Sequence, residues 1–136
     1  MESRYDAYAQ WYAEFTRDWS PSCLPYLPSD LHGQHVLDLA CGVGRLSTSI
    51  ADRGATVTAV DASAPMLDQA APAEGVDYRQ GDATTTDWWD GRPFDGVVSN
   101  MALMDIEVPH RLVAVQYPAR GLTIRDPAID DKVSID

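Results

Sequence analysis

Cysteine is scarce in this chain of 136 residues: Cys23 and Cys41 are all it has. Two cysteines so far apart make neither a disulfide framework nor a thiolate zinc site. Histidine is nearly as rare. His32, His35 and His110 share no metal-ligand spacing with an acid or a cysteine, so no metal is expected. No apolar run approaches the length that crosses a bilayer. The first residues, MESRYDAYAQWYAEF, lack the basic start and apolar stretch of a secretory signal. The expectation is a cytoplasmic chain without a membrane partner. Positive charge is also in deficit, with 10 Lys and Arg against 21 Asp and Glu and a net charge of −11. Such a surface repels phosphate backbones, which argues against nucleic acid as a partner. Internal repeats and low-complexity segments are missing as well. What remains is an ordinary globular balance, 45% apolar and 23% charged, in a chain long enough for one domain with its own core.

Several segments are legible. Residues 3–19 read as a helix, because Tyr5, Tyr8, Tyr12, Phe15 and Trp19 step by three and four and set one aromatic stripe. That stripe is expected to pack on a sheet, with some rings alternatively closing over a ligand. Val36–Ala40 is a short apolar run suited to a buried parallel strand. Asp38 in its middle is an anomaly, since a carboxylate there costs free energy unless something pairs with it. Arg45–Arg53 reads as a helix ended by Gly54, and Thr56–Val60 as a second strand. Ser63 can cap a helix running to about Ala71, with Pro65 tolerated in its first turn. Val76–Gln80 and Phe94–Ser99 are the third and fourth strands. Strands alternating with helices predict right-handed crossovers and an α/β fold, a doubly wound parallel sheet.

The most telling stretch is HVLDLACGVGRLSTSIADRGATVTAVD, from His35 to Asp61. Gly42 and Gly44 sit where the first strand turns into the helix. Glycines there let the backbone bend sharply and approach a ligand without Cβ interference. The helix start adds free N–H groups and a positive dipole end, which suit a carboxylate or phosphate. Asp61 follows Gly44 by 17 residues, at the end of the second strand. A carboxylate there can accept from both hydroxyls of a ribose; the alternative is a turn acid opening the next helix. The pattern is built for a nucleoside with an anionic or zwitterionic tail. A dinucleotide site calls for G-x-G-x-x-G, and Ser47 stands at the third glycine position. That disfavours a nicotinamide-dependent oxidoreductase, as does the lack of a Tyr-x-x-x-Lys set.

The run VLDLACGVGRLSTSIADRGATVTAVDASAPML resembles the cofactor motif of class I S-adenosylmethionine-dependent methyltransferases. The resemblance extends from Val36 to about Met104, and YDAYAQWYAEF resembles the helix that precedes the motif in small-molecule members. It implies a Rossmann-like fold, S-adenosyl-L-methionine as cofactor and S-adenosyl-L-homocysteine as product. By residue, it implies that Asp38 and the Gly42–Gly44 backbone hold the amino and carboxylate ends of the methionine, with Ala40 in place of a first small glycine. Asp61 would bind the ribose, and Ala62 and Met66 would lie against the adenine. Asp82 would accept from the adenine amino group, with Ala83 supplying a backbone N–H; as a turn acid, Asp82 needs no ligand at all. Asn100 would line the sulfonium side, unless it only caps a strand end, and Tyr12 would act as a lid. No residue stands out as a catalytic base.

The family normally continues after the fourth strand with further helices and strands. Here 32 residues follow Met104, and they depart from that pattern. The expectation is therefore a Rossmann-like sheet incomplete at its C-terminal side: one domain over residues 1–125, with an N-terminal helix at 3–19 and a cofactor core at 35–104, then a polar, frayed tail at 126–136. Within it, Arg111–Tyr117 and Leu122–Ile124 read as short strands. An uncovered fourth strand invites pairing, so either the tail supplies a substitute edge or a homo-oligomer covers it. The leading functional expectation is a methyltransferase acting on a small molecule. The alternative is a truncated, non-catalytic module that binds the cofactor or acts by association.

Overall fold

A computed structural model describes residues 3, 5–21 and 23–100, together with the backbone strands at 122–126 and 129–135. Four strands, β1 (His35–Leu39), β2 (Thr56–Asp61), β3 (Val76–Gln80) and β4 (Gly96–Val98), form a parallel sheet in the order β3-β2-β1-β4. Helix α2 (Arg45–Asp52) crosses from β1 to β2, and α3 (Ala64–Asp68) from β2 to β3. This is the α/β, Rossmann-like arrangement expected from the alternation of strands and helices.

The central strand explains the sheet. Every residue of β1 is buried, because both of its faces are covered. Leu37 and Leu39 pack with Val60, Trp88 and Phe94 on one side. Val36 packs with Leu46, Ile50, Val57 and Ala59 on the other, beneath α2. Leu46 and Ile50 are four apart and so share the inner face of α2. Truncating the fully buried Ile50 to alanine is expected to cost about 2–5 kcal/mol. Asp38 alternates onto the α2 face with Val36 and pairs in register with Ala59 of β2 and Val98 of β4.

Two local signals are met closely. Ser63 Oγ accepts from Met66 N at 3.3 Å, capping α3, and Pro65 lies in the first turn of that helix. Helix α2 starts at Arg45 as expected.

The N-terminal segment differs from its reading. It is a 3-10 turn at Asp6–Tyr8 followed by the seven-residue α1 (Ala9–Phe15), and its aromatic stripe is split. Tyr5 and Tyr12 turn inward with Ala9 onto Val43 and Met66, whereas Tyr8, Phe15 and Trp19 are more than half exposed. The helix rests on the corner after β1, not on the sheet, so its contact row is Tyr5, Ala9, Tyr12 and Thr16. Aromatic periodicity cannot reveal a row that is partly alanine and threonine.

Beyond β4 the chain forms a separate antiparallel hairpin of β5 (Leu122–Asp126) and β6 (Ile129–Ile135). The segment from Asp126 onward, read as a frayed tail, instead carries β6. Strand β5 comes close to β4 without joining its ladder. The expected strand at Arg111–Tyr117 lies outside the described residues, as do 101–104 of the cofactor core.

Candidate functional site

The corner between β1 and α2 is conformationally demanding. Ala40, Gly42 and Gly44 all have positive φ, at 61°, 58° and 80°. The two glycines also leave room that a side chain would take. A Cβ on Gly42 would lie 3.3 Å from the Met66 Cε methyl, and one on Gly44 would run into the Tyr78 ring, 2.7 Å from its Cε1. The left-handed Gly44 is the N-cap of α2 and offers no side-chain cap. The first-turn N–H groups of α2 therefore face the corner without a side-chain acceptor at that position.

Two carboxylates meet this corner. Asp38 is 1% exposed and accepts from Ser47 Oγ at 2.6 Å. Burial pushes its carboxyl up to about 7, while the Ser47 hydroxyl pulls the other way and the nearby Asp61 charge adds to the rise. Asp61 leaves the end of β2. Its Oδ2 accepts from Gly42 N at 2.8 Å and its Oδ1 from Ser63 N at 2.9 Å. Desolvation raises its pKa against the pull of those amides. Each carboxylate oxygen can accept a second bond, so Asp61 retains acceptor capacity while its orientation is fixed by the glycine turn.

The structure brings Asp38, Ala40, Gly42, Gly44 and Asp61 to this one corner. Met66 is 4% exposed and packs, with the ring of Tyr12 beside it, over the turn residue Val43. Ala62 follows Asp61, and its carbonyl accepts from Gln80 Nε2 at 3.2 Å. Gly81 N donates to Asp61 O at 2.9 Å, which sets Asp82 beside the end of β2. The Asp82 carboxylate is taken up locally: its Oδ1 accepts from Thr84 N at 2.8 Å and Thr84 Oγ1 at 2.7 Å. Those two bonds hold its pKa below the ordinary carboxylate value. Ala83 packs with the cluster of Leu37, Leu39, Val60, Trp88 and Phe94. Asn100 is half-buried two residues past β4.

Sequence reasoning missed several residues that shape this corner. Tyr78 of β3 covers Gly44. Asp6 accepts from Ser63 Oγ at 2.5 Å, tying the N-terminal turn to the Asp61 loop. Trp88 lies on Gly81 and donates from Nε1 to Asp82 O at 3.1 Å. Tyr78 and Asp6 carry no spacing signal because they act on residues distant in sequence, and Trp88, though only six residues from Asp82, sits in a loop without periodicity. Ser99 Oγ, at the end of β4, is buried without a hydrogen-bond partner among the described residues. No group of metal-ligating side chains occurs among the described residues, and no helix there is long and apolar enough to cross a membrane.

Fold and corner together define a Rossmann-like α/β protein. The family model described as methyltransferase domain matches residues 36–123, well over half of the chain. The chain belongs to this methyltransferase family. A ubiquinone biosynthesis O-methyltransferase of Coxiella burnetii is 45% identical over 53 residues, covering 38% of this chain and 23% of that relative. A solved S-adenosylmethionine-dependent methyltransferase from Mesorhizobium loti is 27% identical, with a TM-score of 0.63, over 75% of this chain and 50% of that one. The DhpI–SAH complex is 27% identical, with a TM-score of 0.65, over 90% of this chain and 65% of DhpI. The matched segment thus spans about a quarter of the curated relative and half to two thirds of these solved chains.

Proposed function

We propose that this chain binds S-adenosyl-L-methionine and transfers its methyl group to a small molecule in the cytoplasm. The observation that supports this best is the pair Asp38 and Asp61, set on either side of an uncapped helix start across the Gly42–Gly44 turn. The donor set suits the cofactor's chemistry. Asp38 is a buried anion whose cost an ammonium group would offset. The α2 amides suit the carboxylate. Asp61 offers acceptors to the two ribose hydroxyls, Ala62 and Met66 an apolar wall for the adenine, and Asp82 with Ala83 a polar edge. Asn100 would line the sulfonium side and Tyr12 would close the methionine end. Ser47, which departs from the dinucleotide fingerprint, is occupied in holding Asp38.

Bound S-adenosylmethionine supplies a methyl group that is already electrophilic at its sulfonium. The residues named need only fix the cofactor, align an acceptor and exclude water. Such positioning is worth roughly 7–11 kcal/mol of barrier. No side chain of this chain is assigned as a base.

Calorimetry with S-adenosylhomocysteine and NAD tests the binding step: micromolar affinity for the first and none for the second is expected, and the reverse would overturn it. Incorporation of radiolabelled methyl into a small-molecule extract tests transfer. Cofactor binding with no turnover would favour the non-catalytic reading, which draws support from β4 standing at the rim of the sheet among the described residues. A second copy covering that rim is the oligomer we infer, and sedimentation at a single-chain mass would remove it.

A further inference from the structure

Arg45 is the first residue of α2 and follows Gly44 directly. Its guanidinium is spent on the end of another helix. Nη2 donates to Ala13 O at 2.6 Å, Nη1 to Arg17 O at 3.1 Å, and Nε to Thr16 Oγ1 at 3.2 Å. These acceptors belong to the last turn of α1 and the residues just past it. Carbonyls at a helix C-terminus lack intrahelical partners and sit at the negative end of the dipole, so a planar cation with a fork of donors satisfies several at once. Thr16 is 2% exposed, and its hydroxyl passes the tie on to Tyr12 O at 2.7 Å.

We infer that Arg45 is a positioning residue for the cofactor pocket, clamping α1 onto the glycine turn so that Tyr12 and Tyr5 stay packed over Val43 and Met66. The inference rests on the proposed cofactor site and adds the element that closes it. Helix α1 is too short to persist on its own. Ala9 is its one fully buried residue, with Tyr12 and Ala13 partly buried beside it, so packing gives it a small footing. The Asp6–Ser63 bond fastens the front of the segment to the Asp61 loop, and Arg45 fastens its back to the other side of the corner.

The far end of α2 supplies an internal control. Arg53, its C-cap residue, donates from Nη1 to the carbonyls of Leu24, Leu27 and Pro28 at 3.1, 3.0 and 3.0 Å. It makes the same kind of clamp on a loop that takes no part in the corner. Both arginines support the fold, and only Arg45 borders the pocket.

The test is calorimetric titration of the full chain with S-adenosylhomocysteine, with thermal unfolding measured alongside. Arg45→Ala is expected to weaken binding about tenfold, and Arg45→Lys to recover part of that loss. Thr16→Val, which keeps shape and removes the relay, is expected to weaken binding about threefold. Arg53→Ala is expected to lower the melting temperature comparably and leave affinity unchanged. Wild-type affinity in Arg45→Ala, or equal losses in Arg45→Ala and Arg53→Ala, overturns the inference while leaving the cofactor site standing. Should Arg45→Ala not fold, Thr16→Val decides: unchanged affinity there overturns the inference. Failure of the wild-type chain to bind takes down the functional reading and this inference with it.

Discussion

The corner around Gly42 and the loop from Gly81 to Arg92 each hold an aspartate near the end of a parallel strand, and they treat it in opposite ways. At the corner, Asp38 is stripped of water and given one hydroxyl, so its carboxyl rises to about 7. In the loop, Asp82 receives an amide and a hydroxyl from Thr84 and its pKa falls. The loop satisfies its own charge and is finished without a ligand. The corner buries the Asp38 carboxylate and holds Ala40 at positive φ, and the buried charge costs stability until a cation arrives. Perturbed carboxylates of that kind concentrate at functional sites. The contrast ranks the two regions: the corner should dominate cofactor affinity, and the loop should trim it.

The largest effect should come from breaking the corner. Asp38→Asn and Asp61→Ala are each expected to weaken S-adenosylhomocysteine binding on the order of a hundredfold, through loss of charge-assisted bonds. Asp38→Asn should also raise the melting temperature at pH 8, because the buried charge is gone while Ser47 keeps an acceptor. Unchanged affinity in Asp61→Ala would contradict the ribose contact. A lower melting temperature in Asp38→Asn would show that the native carboxylate is already compensated. The matching change in the loop, Asp82→Ala, should cost only about threefold in affinity. An equal loss at Asp82 would erase the ranking.

Acidity offers the next lever. A carboxyl raised from 3.8 to about 7 on folding holds its proton more tightly in the folded state. Stability of the ligand-free protein is therefore greatest below the unfolded pKa and declines as pH rises toward 7, then levels off. Ligand binding runs the other way, since the ammonium needs an ionised Asp38. About tenfold weaker S-adenosylhomocysteine binding is expected at pH 6 than at pH 8. Adenosine has no ammonium and reports on Asp61 without Asp38. Identical pH slopes for the two ligands would assign the effect to Asp61, whose pKa burial also raises.

How much of this could be read beforehand depends on sequence distance. The strand-turn-helix unit is local, so Asp38, Gly42, Gly44 and the capping Ser63 were visible from neighbours within a few positions. Asp61 was visible because the βαβ unit has a standard length. The clamp by Arg45 and the cover by Tyr78 were not, since each contact is made across segments whose approach is set by tertiary packing, and the brace from Trp88 to Asp82 was not, since it closes an irregular loop with no periodic pattern. The aromatic stripe misled for the same reason. A period near 3.5 is shared by the inner row and the exposed row Trp11, Phe15 and Trp19, whose first two rings stack at 4.9 Å. Only the partner surface decides which row is inside. After β4 the short strand read at Leu122–Ile124 lies within β5, whereas β6 (Ile129–Ile135) was hidden because Asp130, Asp131, Lys132 and Ser134 make it read as a polar tail.

The smallest expected effect tests whether strain, and not only charge, separates the corner from the loop. Ala40 is the one non-glycine with positive φ among the described residues. A left-handed conformation costs an ordinary L-residue about 1–2 kcal/mol, whereas glycine adopts it freely and loses about 0.5–1 kcal/mol more entropy on folding. Ala40→Gly should therefore stabilise the chain by about 0.5–1 kcal/mol, a rise of a few degrees in melting temperature. Affinity should hold, because the φ already present is the one glycine would keep and the methyl makes no polar contact. Thermal unfolding with and without S-adenosylhomocysteine measures both. If Ala40→Gly instead loosens binding, the alanine methyl is what keeps the turn in its binding shape, and the corner depends on restricted backbone freedom as well as on its two carboxylates.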